Sequence, residues 1–265
     1  MDWLQVLILS LVQGITEFLP VSSSAHLILV PVFSNWDDQG LAFDVALHLG
    51  SLMAVVVYFR QDLATMSTSW FRSLRTRRPD ADARLAWAVL LGTIPVGLAG
   101  LAFKDTIETV LRSPLYMSAG LIVFGVALAW ADLRHRGARP EYQITWKDVL
   151  VVGCAQALAL FPGTSRSGIT ITAALFMGMN REGASRFSFL LSIPVIVLAC
   201  GLQLKSLLET PEPVQWGAVA AGVVLSGLSA YLCIHYFLAF IKRIGMMPFV
   251  AYRIILGVIL IGVFA

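Results

Sequence analysis

The chain has 265 residues, 58% of them hydrophobic and 13% charged, with a mean hydropathy of +0.79 and a net charge of +3. A soluble protein of that composition would need a core too large for its polar surface to cover, so the chain reads as a polytopic helical membrane protein. The basic excess comes from 19 Lys+Arg gathered in loops, a pattern that reports membrane topology and argues against nucleic-acid binding.

The first apolar run, Trp3–Phe33, would make a helix of roughly 45 Å, against a hydrocarbon core of roughly 30 Å. One span would therefore hold Glu17, Pro20, three serines and His26 near the bilayer centre. Pro20 lacks a backbone donor and polar groups facing lipid are costly. Two half-helices joined by a serine-rich turn, buried in protein, are expected instead. No cleaved leader is expected, because Asp2 stands where a basic n-region would lie and the run is too long. After a polar link at Ser34–Gly40, spans are expected at Leu41–Phe59, Leu85–Phe103 and Pro114–Ala131. Between them lie a basic loop with Arg60, Arg72, Arg75, Arg77, Arg78 and Arg84, and the link Lys104–Ser113. A second basic loop carries Arg134, Arg136, Arg139 and Lys147. Trp146 opens another interrupted apolar run that ends near Met179, centred on Phe161–Gly168. The last spans are expected at Phe187–Leu204, Trp216–Phe237 and Pro248–Phe264. Cys154, Cys200 and Cys233 lie in apolar stretches with no pairing pattern and are expected as buried free thiols. His48 is expected to pack within its span, and His135 and His235 to sit at loop edges.

The two interrupted runs are related. A shift of 143 positions superposes Trp3 on Trp146, Gln13 on Gln156, Phe18 on Phe161, Ser22 on Ser165 and Ser24 on Ser167. Shifts of 144 and 134 pair Phe43 with Phe187 and Pro114 with Pro248. Each half, about 1–135 and 144–265, reads as a broken pair followed by three spans. An odd number of crossings inverts the second half relative to the first. The expected fold is thus all-α: one membrane domain over residues 1–265, with six transmembrane helices, two re-entrant helix pairs and inverted-topology repeats. Placing the Arg60–Arg84 loop in the cytoplasm puts fourteen of the nineteen basic residues on that side. Both termini then face outward, the Glu17–His26 turn dips in from outside, and the Arg166 turn dips in from the cytoplasm. The turns are expected to meet near the midplane, where half-helix N-termini present N–H groups and positive dipole ends.

Pro162–Gly168 has the composition of an oxyanion cradle. Gly163 and Gly168 permit close backbone approach, Thr164, Ser165 and Ser167 offer hydroxyls, and Arg166 supplies a planar fork suited to phosphate. The plainer alternative is an Arg166–Glu17 ion pair that only staples the turns. Glu17 lies one helical turn after Gln13; it could hold a divalent cation, accept a proton or pair structurally. Ser22, Ser23 and Ser24 are candidate nucleophiles, although turn serines more often cap helices. His26, three residues beyond Ser23, is a candidate acid or base.

Gln13-x-x-x-Glu17 followed by Phe-Leu-Pro-Val-Ser-Ser and His26, then Pro162-Gly-x-Ser-Arg-Ser-x-x-Thr170 and Lys242-Arg-Ile…Pro248-Phe-x-x-Tyr-Arg253, resembles the bacterial undecaprenyl pyrophosphate phosphatase family of the bacitracin-resistance type. The resemblance covers essentially the whole chain. It implies an inner-membrane hydrolase that removes the terminal phosphate of a C55 isoprenyl pyrophosphate to regenerate the lipid carrier of cell-wall synthesis, with Mg²⁺ or Ca²⁺ as cofactor. It carries the family's essential acidic position onto Glu17, its serine onto Ser23, its histidine onto His26 and its arginine onto Arg166. Ser22, Gly163, Thr164, Ser165, Ser167, Thr170 and Gln13 are the expected phosphate-side residues, and Glu17 the expected metal ligand. Gln13, where the family has Glu or Gln, is given no proton-transfer or strong metal role. The lipid substrate and the bilayer are the expected partners, with a homo-oligomer compatible with the sequence. The rival from another class is a transporter of an anion or a lipid phosphate, and lipid flipping is a conceivable added activity. A structural scaffold does not account for Glu17, His26 and Arg166 at bilayer depth.

Overall fold

The computed structural model describes residues 1–103, 114–134, 137–209 and 214–264. Eleven α-helices follow one another among these residues: α1 (Trp3–Thr16), α2 (Ser23–Ser34), α3 (Leu41–Tyr58), α4 (Arg60–Thr76), α5 (Ala81–Ala102), α6 (Pro114–Arg134), α7 (Trp146–Ala157), α8 (Arg166–Phe176), α9 (Arg181–Glu209), α10 (Trp216–Ile244) and α11 (Met247–Phe264). Six of them, α3, α5, α6, α9, α10 and α11, are long and apolar enough to cross a membrane. The short pairs α1/α2 and α7/α8 fall on the two interrupted runs. This order is compatible with two repeats, each a short pair followed by three long helices, with α4 an addition to the first.

The second member of each pair starts in the same way. Ser22 and Ser165, superposed by the 143-residue shift, precede α2 and α8 with φ of 73° and 68°. Non-glycine residues rarely adopt that left-handed backbone, which costs of the order of 1–3 kcal/mol and persists only where neighbours enforce it. Two such residues at matched positions give both interrupted runs the same sharp reversal.

Small residues draw the long helices together. A side chain at Gly50 of α3 would put its Cβ 2.4 Å from the Val223 carbonyl oxygen of α10, and one at Gly14 of α1 would sit 2.0 Å from Ser229 Oγ. Ser51 and Ser226 are hydrogen-bonded at 3.0 Å across the α3–α10 seam. Helices in lipid gain little from apolar contact as such, so close approach and interhelical hydrogen bonds carry their association. At the centre, Phe18 packs edge-on against Phe189, with ring centroids 5.2 Å apart.

Several expectations need correction. The stretch after Arg60, read as a basic loop, is the helix α4. Its Leu63, Met66 and Trp70 pack towards α5 and α9, while Arg72 and Arg75 are exposed. The sequence shows charge frequency there, but apolar residues at i, i+3 and i+7 on one side give an amphipathic helix suited to a membrane surface. Helix α9 begins at Arg181 instead of Phe187, capped by Asn180 Oδ1 accepting from the Gly183 N–H at 2.7 Å. Helix α10 continues to Ile244. Hydropathy marks where the apolar stretch stops, and the hydrogen-bonded helix runs on into its charged ends. His235 lies within α10 and not at a loop edge, its ring 6.3 Å from that of Tyr58. The three cysteines are free as expected, but Cys154 is exposed and the other two are half-buried. An apolar segment of a membrane protein turns much of its surface to lipid, so apolar neighbours in sequence do not imply burial. The link Lys104–Ser113 and His135 lie outside the described residues.

At the end bearing the basic residues, ion pairs lace the connections. Arg181 grips Asp132 with bonds of 2.6 and 3.0 Å, Arg139 grips Asp148 with 2.8 and 3.1 Å, and Arg186 bridges Asp62 and Glu141. Burial, followed by the hydrogen bond to Asp62, pushes the Tyr142 hydroxyl up to about 12, so it stays a donor.

Candidate active site

The two turns touch. Glu17, at the end of α1, receives three hydrogen bonds. Ser23 Oγ, on the first turn of α2, donates to Oε2 at 2.8 Å; Gln13 Nε2, one turn earlier on α1, donates to Oε2 at 3.0 Å; Arg166, first residue of α8, donates to Oε1 at 3.1 Å. The second arm of Arg166 donates to the Ser188 carbonyl of α9 at 3.0 Å. A guanidinium has five N–H donors, and these bonds use two of them, leaving the rest without a protein partner among the described residues. Ser167 Oγ donates to the Leu19 carbonyl at 2.8 Å and joins the turns a second time. The ion pair of the plainer alternative is therefore present, set among unused donors.

Arg253, which sequence reasoning left without a role, lies beneath this junction. It is fully buried, with 0% exposure. Its guanidinium donates to five carbonyl oxygens: Pro20 in the first turn at 3.1 Å, Gly163 and Thr164 in the second at 3.0 and 2.8 Å, and Gly120 and Leu121 of α6 at 3.2 Å each. No carboxylate of the described residues pairs with it. One carboxylate, Glu17, thus stands against two buried guanidiniums, leaving a positive balance where an anion would sit. The signal in the sequence was a lone arginine in the last apolar run.

Four of the expected residues are in direct contact: Gln13, Glu17, Ser23 and Arg166. The others stand around them in different roles. Ser165 Oγ accepts from the Gly168 N–H at 3.2 Å and caps α8. Thr170 is buried, with its hydroxyl 2.7 Å from Ser188 Oγ and bonded to backbone carbonyls of its own helix. Thr164 Oγ1 is buried without a partner. Gly163, with φ of 78°, has the Met117 carbonyl of α6 where a side chain would project, 2.1 Å from an added Cβ, so its smallness admits a helix backbone. Ser22 Oγ reaches only Ser24 Oγ, at 3.4 Å. His26 does not bond to Ser23; its Nδ1 lies 2.7 Å from the Ser22 carbonyl and its Nε2 2.5 Å from Tyr252 Oη. His48, expected only to pack, faces the site with Nε2 3.9 Å from Glu17 Oε2. Asp44, His48 and Ser51 sit at helical spacing on α3, and that periodicity was the available signal.

Among the described residues no cluster of three or more His, Cys, Asp or Glu is placed to hold a metal. A smaller set is present: the Glu17 carboxylate, and beside it Gln13 Oε1, a buried oxygen without a hydrogen-bond partner. Hard divalent cations are often held by one or two protein oxygens with substrate phosphates completing the shell, and these two oxygens fit that pattern.

The family model "Bacitracin resistance protein BacA" matches residues 6–259. Undecaprenyl-diphosphatase 2 of Stutzerimonas stutzeri is 59% identical over 268 residues, covering 100% of this chain and 99% of that protein. The undecaprenyl-diphosphatases of Thioalkalivibrio sulfidiphilus and Nitrosococcus oceani are 58% and 56% identical over 265 residues, each covering 100% of both chains. Matched from end to end in this way, the chain belongs to the bacitracin resistance protein BacA family.

Proposed function

We infer that the protein is an undecaprenyl-diphosphatase: a multi-pass membrane hydrolase that converts undecaprenyl diphosphate to undecaprenyl phosphate and inorganic phosphate, returning the lipid carrier to cell-wall synthesis. The observation that carries the mechanism is the Ser23–Glu17–Arg166 chain of hydrogen bonds across the two turns. A hydroxyl, a carboxylate and a guanidinium within one hydrogen-bonded unit support this reading.

Ser23 is the nucleophile and Glu17, which already accepts its proton in a hydrogen bond, is its base; this is the hydroxyl-plus-base pairing of covalent catalysis. Ser23 Oγ bonds to the terminal phosphorus as the bond to the bridging oxygen breaks, and its proton passes to Glu17. The lipid phosphate leaves as its anion; His26, bare at Nε2, takes a proton from the water that releases phosphate from Ser23 and then yields it to solvent. Glu17 finally returns its proton to Ser23 Oγ. Arg166 turns its unused N–H groups to the phosphoryl oxygens, assisted by the first-turn N–H groups of α8 and the nearby charge of Arg253. A divalent cation, held by Glu17 and Gln13 Oε1, would neutralise phosphate charge.

The site opens to the outer face. The ion pairs at the opposite, basic end support this reading, since they tie α4, α6 and α9 together there and hold the connection after α6 to α7. Phosphate release from long-chain isoprenyl diphosphate by the purified protein in detergent tests the assignment, because a transporter needs two compartments and would release none.

A further inference from the structure

The His26 ring is held at both nitrogens, and the chemistry of its partners fixes its tautomer. Nδ1 lies 2.7 Å from the Ser22 carbonyl oxygen, and a carbonyl has no hydrogen to give, so Nδ1 carries the proton. In the neutral ring Nε2 is therefore bare and is the sole atom able to take or release a proton. The group on Nε2 is Tyr252 Oη of α11, at 2.5 Å, from a position 226 residues away. The two rings also stack, with centroids 5.6 Å apart and planes 11° from parallel. Beside Tyr252, Arg253 is locked onto five carbonyls of α6 and the two turns. The register of α11 against the turns, and with it the aim of the Tyr252 hydroxyl, is thus set by its neighbour.

We propose that Tyr252 is a positioning residue for the phosphatase reaction, acting through His26. A phenol hydroxyl both donates and accepts. It donates to bare Nε2 and so holds the ring, gives way at that one lone pair to the water whose proton Nε2 takes, and then accepts from protonated Nε2, so the imidazole need not turn. The Ser22 carbonyl does the same at Nδ1 by never requiring that proton to move. The arrangement parallels other sites in which one ring nitrogen is pinned so that the second is free to do chemistry. This inference rests on the phosphatase reading and on the acid–base role of His26 within it.

The test is a double-mutant cycle with a spectroscopic companion. Tyr252→Phe retains the stacked ring and deletes only the hydroxyl. In purified protein, kcat for phosphate release should fall by at least about tenfold, part of the 10²–10⁴-fold that an acid–base group contributes, with KM changed less than about threefold. The limb of the pH–rate profile that disappears in His26→Asn should also move. In the His26→Asn background the same substitution should cost less than about twofold, since residues that act as one unit are not additive. Full activity of Tyr252→Phe with an unmoved pH profile would overturn the proposal, as would an undiminished loss in the His26→Asn background. Full activity of His26→Asn would overturn it as well. Nitrogen-15 spectra read the geometry without turnover: the chain has 4 histidines, so the His26→Asn spectrum assigns the ring. The proposal requires a protonated Nδ1 and a hydrogen-bonded, unprotonated Nε2 near neutral pH, with Nε2 shifting in Tyr252→Phe; the opposite tautomer would refute it. An inactive wild type that still gave the required spectrum would count against the phosphatase reading and leave the pair standing.

Discussion

Arg166→Lys keeps a positive charge at the junction and removes its shape. The arginine spans two acceptors at once, Glu17 Oε1 at 3.1 Å and the Ser188 carbonyl at 3.0 Å, through different terminal nitrogens of one rigid plane. A lysine ammonium is a compact point charge on a flexible stem; it can follow Glu17 or Ser188, or turn to a phosphate, but cannot hold the three in fixed relation. Losing one preorganised donor to a developing phosphoryl charge costs roughly 2.7–4 kcal/mol, or 10²–10³ in kcat. Losing one charged bond to a backbone carbonyl costs a further ~1.5–3 kcal/mol, felt chiefly as stability. We expect kcat/KM for long-chain isoprenyl diphosphate to fall at least about 100-fold, while the detergent-solubilised protein still folds, with a lowered unfolding temperature. Kinetics of phosphate release, beside a thermal-unfolding measurement on the same preparation, separate the two effects. Turnover within about threefold of wild type would refute the assignment, because it would reduce Arg166 to a charge that staples Glu17.

Ser23→Ala should abolish phosphate release and Ser22→Ala should leave it within about tenfold, since Ser23 Oγ bonds to Glu17 and Ser22 Oγ only to Ser24; equal losses in steady-state assays would assign the effect to turn geometry. Treatment with a chelator should suppress phosphate release and added Mg²⁺ or Ca²⁺ should restore it, with Gln13→Leu raising the concentration needed because it removes the buried Oε1; an unchanged metal titration in that variant would exclude Gln13 as a ligand. Gly50→Leu should cut the yield of folded protein sharply, since its Cβ would fall 2.4 Å from the Val223 carbonyl and force α3 and α10 apart; chromatography in detergent reads the monodisperse fraction. Arg253→Met should be more damaging to folding than Arg166→Lys, because it leaves five carbonyls without their shared donor.

The six long helices and both interrupted runs were legible because a bilayer demands about 20 apolar residues per span, and Pro20, Glu17 and the serines violate that demand in the middle of a run. The meeting of Glu17 with Arg166 was legible for the same reason: each is a charge that lipid does not tolerate alone. Helix α4 was not, because a tally of arginines hides the Leu63–Met66–Trp70 face beneath them. Nor were Tyr252 and His48. For His48 the polar spacing Asp44–His48–Ser51 was the one trace to follow; for Tyr252 the role depends on which face of a long apolar helix turns inward, and hydropathy is similar on both faces. The partner of His26 could not have been read from the turn itself, since it comes from the other end of the chain.

The backbone of the two turns makes sense only together with Arg253. Ser22 and Ser165 hold left-handed conformations that a serine avoids, and each reversal leaves carbonyls directed into the protein, where water is scarce. One buried guanidinium offsets both debits, donating to Pro20 on one side and to Gly163 and Thr164 on the other. Because the same group holds both turns, neither can relax without disturbing the other, and the distance between Ser23 and Arg166 is fixed by a residue that need touch neither. That explains how a site assembled from two short helix pairs can be rigid. It also explains why the charge of Arg253 has no carboxylate partner among the described residues: a carboxylate would satisfy the guanidinium and release the carbonyls that the turns require it to hold.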